Sequence, residues 1–219
     1  MKTVIFGASG MVGQGVLREC LLDPEVDQVV SVVRKSTGQS DSKLREVVHS
    51  DFMDFSGIEN ELSGYDACFF CLGVSSGGMT EAEYTRVTYG ITMAAAQTLA
   101  RLNPEMTFEY ITGTGTDSSE MGRSMWARVK GKTENALLAL PFKAAYMFRP
   151  GFIQPLHGIQ SKTRAYQVFY AVTKPLLPAF KAIFPQYVTT TERLGKAMIA
   201  VAKHGYPKKV LEMKDINNV

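Results

Sequence analysis

The sequence has little of what marks a secreted or membrane-spanning protein. Its 219 residues include only three cysteines, a small and odd number that is typical of compartments where thiols stay reduced. No uninterrupted apolar run approaches the roughly 20 residues of a transmembrane helix, and the first residues, MKTVIFGASG, lack the long apolar segment of a secretory signal. We therefore expect a cytoplasmic protein.

Histidine is also scarce, and the cysteines show no sign of redox chemistry. His49, His157 and His204 have no metal-ligand spacing, so we expect no metal site. Cys68 and Cys71 form a C-x-x-C pair inside the apolar run ACFFCLG, which predicts a buried strand rather than the start of a redox-active helix. The sequence shows neither a nucleophile elbow nor a nucleic-acid recognition motif.

Charge is unevenly distributed, although the net charge is only +3. Residues 1–120 hold 8 Lys and Arg against 17 Asp and Glu, whereas residues 121–219 hold 16 against 4. Such a basic half indicates an anionic ligand, a membrane surface or an acidic partner, and the alternative is that its basic faces contact the acidic half. Because the excess is spread widely, we expect it to serve an anionic ligand or a cofactor rather than nucleic acid.

Short apolar segments rich in Val, Ile and Phe alternate with helical patterns, as in βαβ units on a parallel sheet. The predicted strands are TVIFGASG, DQVVSVVRK, REVVHSDF, YDACFFCLG, MTFEYITGT and FKAAYMFRPG. Helices are predicted for MVGQGVLRECLL, for EAEYTRVTYGITMAAAQTLARL and around SMWARVKGKTENALLAL. Six strands with crossovers predict an α/β protein with a doubly wound parallel sheet, the Rossmann fold.

The pattern changes after FRPG. Three prolines interrupt an aromatic, lysine-dotted stretch, which predicts short helices. Next, TTTERLGKAMIAVAKHG predicts a helix with a threonine N-cap and Gly205 as C-cap, and KKVLEM resembles a strand. Since we find no repeats, low-complexity tracts or linker, we expect one domain over residues 1–219, with a small helical cap over residues 151–190 on the substrate side.

Three glycines stand where a dinucleotide-binding protein needs them. Gly7, Gly10 and Gly13 in FGASGMVGQG follow the first predicted strand and begin the first predicted helix. A pyrophosphate requires close approach of the backbone and free N–H groups at a helix N-terminus, and glycines at these positions permit both. The pattern predicts a dinucleotide site, and a merely structural tight turn is the alternative.

The residues after the second strand favour a phosphorylated cofactor. A protein that prefers NAD usually offers Asp or Glu to the ribose 2′-hydroxyl here, whereas this chain has Arg34 and Lys35. Their cations, together with the hydroxyls of Ser36 and Thr37, suit a 2′-phosphate, because guanidinium and ammonium groups make charge-assisted bonds to phosphate oxygens. An exposed basic turn is the alternative.

At this point the sequence resembles the short-chain dehydrogenase/reductase superfamily, in its atypical branch with a GxxGxxG turn. Through GASGMVG, CLG, VKGKTE and FRPG it is most similar to the Tat-interacting-protein group of oxidoreductases, over nearly the whole chain. That group binds NADPH. The resemblance implies that Asp51 and Phe52 contact the adenine and that Cys71, Leu72 and Gly73 line the adenosine and ribose, although Asp51 also reads as an ordinary loop carboxylate.

Together, the predicted cofactor-binding residues are Gly7, Ser9, Gly10, Met11, Val12, Gly13, Arg34, Lys35, Asp51, Phe52, Cys71, Leu72, Gly73, Lys130, Arg149 and Pro150.

The catalytic set that the resemblance implies is incomplete. In the superfamily a Ser or Thr after strand five orients the carbonyl, a Tyr transfers the proton, and a Lys four residues later binds the nicotinamide ribose. Thr112 or Thr114 fits the first role and Lys130 the third, but Trp126 occupies the tyrosine position. An indole N–H donates a hydrogen bond without useful acidity, so Trp126 does not replace the tyrosine in proton transfer.

Two tyrosines on the preceding helix, Tyr84 and Tyr89, are candidates to replace the missing phenol, although packing is the plainer role for each. The leading hypothesis is an NADP(H)-binding atypical short-chain reductase acting on an unknown small carbonyl substrate. The second is a non-catalytic NADP(H)-binding sensor or regulator, which Trp126 favours. The third hypothesis is a peripheral membrane protein, which the basic aromatic stretch from Arg164 to Phe184 suggests. The prolines in that stretch argue against one continuous amphipathic helix. The sequence leaves the oligomeric state open.

Overall fold

A parallel seven-stranded sheet forms the centre of the molecule. The structure is a computed structural model that describes residues 1–160 and 187–219. The strands that it describes are β1 (Lys2–Phe6), β2 (Gln28–Val33), β3 (Leu44–Val48), β4 (Ala67–Phe70), β5 (Thr107–Ile111), β6 (Ala144–Arg149), β7 (Phe152–Gln154), β8 (Val188–Thr190) and β9 (Val210–Glu212). The central sheet has the order β3-β2-β1-β4-β5-β6-β9, and every pair in it is parallel. The predicted doubly wound Rossmann sheet is confirmed.

The sheet has one strand more than the six crossover strands predicted. KKVLEM supplies it, as β9 pairs with β6 at the edge. A separate two-stranded parallel sheet of β7 and β8 was not predicted, because three-residue strands are too short to show an apolar alternation.

Helices cover both faces of the sheet. They are α1 (Met11–Leu22), α2 (Glu81–Thr85), α3 (Ile91–Leu102), α4 (Met125–Leu138), α5 (Thr191–His204) and α6 (Met213–Asn218). One π-helical turn, Arg86–Gly90, joins α2 to α3, so the long helix predicted after β4 is present. The caps predicted for α5 are also present: the Thr190 hydroxyl accepts the N–H of Arg193 at 3.0 Å, and Gly205 follows the last turn with φ 72°.

Each strand of the sheet centre contributes to two cores. Along β1, Val4 and Phe6 pack on the side of α3, whereas Ile5 packs on the side of α1 and α5. This follows from the alternation of side chains along a strand, and it explains why the central strands are apolar at almost every position. Full burial of one such side chain contributes about 1.5–3 kcal/mol.

The basic and acidic parts of the chain meet at several ion pairs. Arg128 on α4 pairs with Glu81 at 2.6 Å, and Lys203 on α5 pairs with Asp23 at 2.9 Å and with Glu25 at 2.6 Å. Part of the basic excess therefore contacts the acidic half, which was the alternative explanation of the charge asymmetry.

Three predictions fall wholly or mostly on residues that the structure does not describe. The proline-interrupted stretch, the possible membrane-contacting segment from Arg164 to Phe184 and most of the predicted cap over residues 151–190 lie outside the described residues. Every helix in residues 1–160 and 187–219 is too short or too polar to span a bilayer.

Candidate cofactor site

The candidate site lies where the strand order reverses. β1 has β2 on one side and β4 on the other, and the crossovers from these strands leave toward opposite faces of the sheet. In an open α/β sheet, the crevice outside the carboxyl ends of such strands is where ligands bind. The turn after β1, the segment after β2 and the segment after β4 border this crevice.

Close packing forces glycine at two positions of the first turn. Gly7 has φ 84°, and an added Cβ would lie 2.8 Å from the carbonyl carbon of Cys71. At Gly13 an added Cβ would lie 2.1 Å from the Gly7 carbonyl oxygen, so α1 packs directly on the turn. Gly10 is the N-cap of α1. These contacts bring the backbone of three segments together, as a dinucleotide turn requires.

The N-terminus of α1 suits an anion. Its N-cap is a glycine without a side-chain hydrogen bond to the helix, and its first turn carries no acidic residue. Met11, Val12 and Gly13 form that turn, and the first N–H groups of a helix have no partner within it. The Ser9 carbonyl oxygen, just before the N-cap, accepts a hydrogen bond from the Gln14 side chain at 3.2 Å. A phosphate placed here meets donors and the positive end of the helix dipole.

A cleft of about 340 Å³ opens beside this turn. It is lined by Ala8, Ser9, Gln14, Thr37, Gly38 and Gln39. Arg34 and Lys35 follow β2 immediately before this lining and are exposed. Neither side chain makes a hydrogen bond or an ion pair to any described residue, so both cations are available to a ligand.

The two hydroxyls next to them have another partner, which corrects one expectation. Ser36 donates its hydroxyl to the Glu46 carboxylate at 2.5 Å, and Thr37 donates both its hydroxyl and its N–H to the same group. Burial would raise the pKa of Glu46, but these hydrogen bonds outweigh it and the pKa is lowered. Ser36 and Thr37 therefore hold the loop to β3, and Glu46 is a site residue that the sequence analysis missed.

Asp51 and Phe52 follow β3 as predicted, but their side chains differ in accessibility. The Phe52 ring is buried against Phe6 and Phe55, with ring centroids 6.3 Å and 5.8 Å away. Asp51 is exposed, and its carboxylate accepts the N–H of Met53 at 2.9 Å. Of these two residues, only Asp51 has a side chain that reaches solvent. Because the Phe52 ring is buried, a contact with adenine would involve the Phe52 backbone.

The segment after β4 is Cys71, Leu72 and Gly73. The N–H of Cys71 donates to the Phe6 carbonyl at 2.9 Å, which continues the β1–β4 pairing up to the glycine turn. Burial raises the pKa of the Cys71 thiol well above its ordinary range, so the thiol stays protonated. All three cysteines are free; Cys20 and Cys68 are buried and Cys71 is half-buried. This agrees with the interpretation of the cysteines as buried apolar groups.

Of the two candidate threonines after β5, only one is exposed. Thr112 is buried, and its hydroxyl donates to Glu134 at 2.6 Å. Thr114 is exposed, with its hydroxyl 3.2 Å from the carbonyl oxygen of Arg149, and its N–H donates to the Pro150 carbonyl at 3.0 Å. The role of orienting a substrate carbonyl therefore fits Thr114 better than Thr112.

Arg149 belongs to a buried ionic network instead of facing the crevice. Its guanidinium donates to both oxygens of Glu134, at 3.0 Å from Nε, to Glu212 at 3.1 Å and to the Ser118 hydroxyl at 2.5 Å. A guanidinium has five N–H donors in a fixed fork, and these partners occupy its two ends and its Nε. The cofactor role expected of Arg149 is therefore not available to its side chain in this arrangement.

Trp126 and Lys130 lie one turn apart on the same face of α4. The Trp126 ring lies beside Gly115, where an added Cβ would be 3.6 Å from it, and the indole N–H has no hydrogen-bond partner in the described chain. Lys130 donates from Nζ to the main-chain oxygen of Thr112 at 2.8 Å. Burial lowers the pKa of Lys130 to about 8, although the Glu134 carboxylate opposes this change.

Neither tyrosine of the preceding helix replaces the missing phenol. Tyr84 is buried in the core, and Tyr89 packs under the Lys132 amine, which lies 5.1 Å from its ring centroid. Residues 1–160 and 187–219 bring together no group of three or more His, Cys, Asp or Glu side chains suited to a metal ion.

The fold and this crevice together define a class of protein. DesIV, the dTDP-glucose 4,6-dehydratase of Streptomyces venezuelae solved with NAD and TYD bound, matches with a TM-score of 0.69 and 16% identity over 97% of this chain and 75% of that one. WbmF of Bordetella bronchiseptica, in complex with NAD⁺, matches with a TM-score of 0.68 and 16% identity over 99% and 76%. The chain therefore has the Rossmann fold of the short-chain dehydrogenase/reductase type.

Relatives by sequence narrow this class. FMP52-2 of Scheffersomyces stipitis is 30% identical over 151 residues, which are 68% of this chain and 65% of that protein. FMP52 of Debaryomyces hansenii is 28% identical over 212 residues, 92% and 88% of the two chains, and HTATIP2 of Rattus norvegicus is 26% identical over 152 residues, 68% and 61%. No family model matches. These relatives fit the atypical short-chain dehydrogenase/reductase group of HTATIP2, as the motifs predicted, and they support an NAD(P)-binding, reductase-like family.

The same relatives show that the predicted cytoplasmic location is wrong. The FMP52 proteins of Scheffersomyces stipitis, Meyerozyma guilliermondii, Candida albicans and Debaryomyces hansenii are all named as mitochondrial. The prediction rested on the few cysteines and on the lack of a long apolar run. They do not distinguish the cytoplasm from a mitochondrial compartment, because mitochondrial targeting depends on amphipathic, Arg-rich segments.

Proposed function

We propose that the protein is an NADP(H)-dependent reductase of small carbonyl compounds. The observation that carries the choice of cofactor is the pair Arg34 and Lys35, at the edge of the cleft beside the glycine turn. Both cations are exposed, and neither has a partner among residues 1–160 and 187–219. A 2′-phosphate gives them charge-assisted hydrogen bonds, whereas a 2′-hydroxyl offers much less.

The other residues of the candidate site fit the remaining parts of an NADP(H) molecule. The glycine turn and the N-terminus of α1 would hold the pyrophosphate, Asp51 the adenine, and Lys130 the hydroxyls of the nicotinamide ribose. The exposed hydroxyl of Thr114 would orient the substrate carbonyl. When bound, the cofactor supplies the hydride, and the protein positions the carbonyl.

Calorimetric titration with NADPH and NADH tests the choice of cofactor. We expect NADPH to bind at least about tenfold more tightly, since about 1.4 kcal/mol is within the range of one charged hydrogen bond. Arg34→Ala should remove most of this preference, and Arg193→Ala, which removes an exposed arginine on α5, should keep it. Equal affinities in the wild type, or an unchanged preference in Arg34→Ala, would contradict the proposal.

A second candidate is a sensor that binds NADP(H) without turnover, and Trp126 at the tyrosine position favours it. The two candidates share the binding site and differ in chemistry. NADPH oxidation measured across a panel of aldehydes and ketones distinguishes them. Tight NADPH binding without oxidation for any member of the panel favours the sensor.

A further inference from the structure

The proposed reductase needs a proton for the carbonyl oxygen, and the residue at the usual position, Trp126, does not supply one. Four other ionisable groups among the described residues are occupied or unsuited. Tyr84 is in the core, Tyr89 packs under a lysine, and the Cys71 thiol is buried. His49 contacts the main-chain oxygens of its own loop.

Lys130 differs from these groups in its surroundings. Its Nζ lies 2.8 Å from the Thr112 carbonyl oxygen, a neutral acceptor, and no carboxylate of the described chain lies within ion-pair distance. An ammonium has three N–H donors, so two remain after this bond. The bond also fixes the amine at the carboxyl end of β5, beside Thr112, which stands two residues before Thr114. On α4, Lys130 lies one helical turn from Trp126.

Burial of Lys130 favours release of a proton, and a nearby carboxylate opposes it. Glu134, one turn further along α4, is the carboxylate that acts on Lys130, and its own oxygens are bound by Arg149 and Thr112. Burial without a direct counter-ion therefore dominates, and it lowers the pKa of Lys130 to about 8. A proton donor is most effective when its pKa lies near the working pH.

We propose that Lys130 donates the proton to the substrate carbonyl oxygen, in the place of the missing tyrosine. This inference rests on the proposed reductase function. In the step, the carbonyl carbon gains the hydride of the reduced nicotinamide, the C=O π bond breaks, and its electron pair takes a proton from Lys130 Nζ. The products are the alcohol, the oxidised cofactor and a neutral amine, which regains its proton from water.

Lys130→Arg separates this role from ribose binding, because arginine keeps a cation with several donors but does not release a proton near neutral pH. We expect NADPH affinity to change by less than about tenfold, whereas the turnover number falls by about 10²–10⁴-fold. Lys132→Arg, two residues along the helix, is the matched control and should retain wild-type turnover.

A second measurement is independent of turnover. In protein labelled with ¹³C at the lysine side chains, the signal that disappears in Lys130→Arg should titrate with a pKa of about 8. In Trp126→Tyr the new phenol provides a competing donor, so adding Lys130→Arg to this variant should cost much less turnover than it costs the wild type.

The outcomes separate the inference from the function on which it rests. Absence of NADPH binding refutes the proposed function itself. Binding of NADPH without its oxidation by any carbonyl tested refutes the reductase function and favours the sensor. If NADPH is oxidised, the inference alone is overturned by either of two results: wild-type turnover in Lys130→Arg, or titration of Lys130 at an ordinary lysine value. Each of these leaves cofactor binding intact.

Discussion

Replacement of Glu109 by glutamine should make the protein more stable, by an amount that grows with pH. Glu109 lies on β5 and is completely buried, and neither of its carboxylate oxygens has a hydrogen-bond partner within the described chain. Burial raises the pKa of this carboxyl well above its ordinary value of 4.5. The native protein therefore carries a neutral acid at pH values where the unfolded chain carries a carboxylate.

The sign of the effect follows from proton binding. Above pH 4.5 the native state binds more protons than the unfolded state, so the free energy of unfolding falls as pH rises. The slope is up to about 1.4 kcal/mol per pH unit, and it persists until the pH reaches the folded-state pKa. Glutamine is neutral in both states, so Glu109→Gln removes this slope.

Urea unfolding of the wild type and Glu109→Gln, from about pH 5 to about pH 8, measures the difference. We expect the stability of the variant relative to the wild type to increase by up to about 1.4 kcal/mol for each pH unit over the lower part of this range. Glu105→Gln, at an exposed glutamate just before β5, is the control and should show no such increase. A constant difference between Glu109→Gln and the wild type would refute the reasoning, since it requires that Glu109 is already ionised in the folded protein.

Three further predictions concern the glycine turn, the ionic network and the basic half. Gly13→Ala places a Cβ 2.1 Å from the Gly7 carbonyl oxygen, so calorimetry should show loss of NADPH binding, whereas Gly57→Ala, at an open position, should bind normally. Glu134→Gln leaves the buried guanidinium of Arg149 without its main counter-ion, and urea unfolding should report a loss of about 3–5 kcal/mol. The basic carboxyl-terminal half should not bind generic DNA or RNA, and salt-sensitive micromolar binding in a filter or anisotropy assay would contradict this.

Sequence patterns were sufficient for the features that depend on local chemistry. The apolar periodicity predicted α1 over the residues that form it, and the three glycines are constrained by contacts of the kind expected for a dinucleotide turn. The threonine and glycine caps of α5 were predictable because each depends on one residue at the end of a helix.

What the sequence did not reveal depends on contacts between distant segments. Ser36 looked available to a phosphate because its partner, Glu46, lies on the next strand, ten residues away. Arg149 was expected to bind the cofactor. Its partners in the structure, Glu134 on a helix and Glu212 on an edge strand, reach it only in the folded chain, so the sequence did not reveal them. The lowered pKa of Lys130 likewise depends on burial, which no local motif records.

The most direct test of cofactor binding at this site uses the one tryptophan of the chain, Trp126. If the nicotinamide lies beside α4, NADPH titration should quench Trp126 emission and produce dihydronicotinamide emission by energy transfer, with saturation at the affinity found by calorimetry. NADP⁺, which lacks the accepting absorption band, should compete for the site and reverse both signals. Calorimetric binding of NADPH without energy transfer from Trp126 would contradict the placement of the nicotinamide beside Lys130, and absence of binding would contradict the cofactor site as a whole.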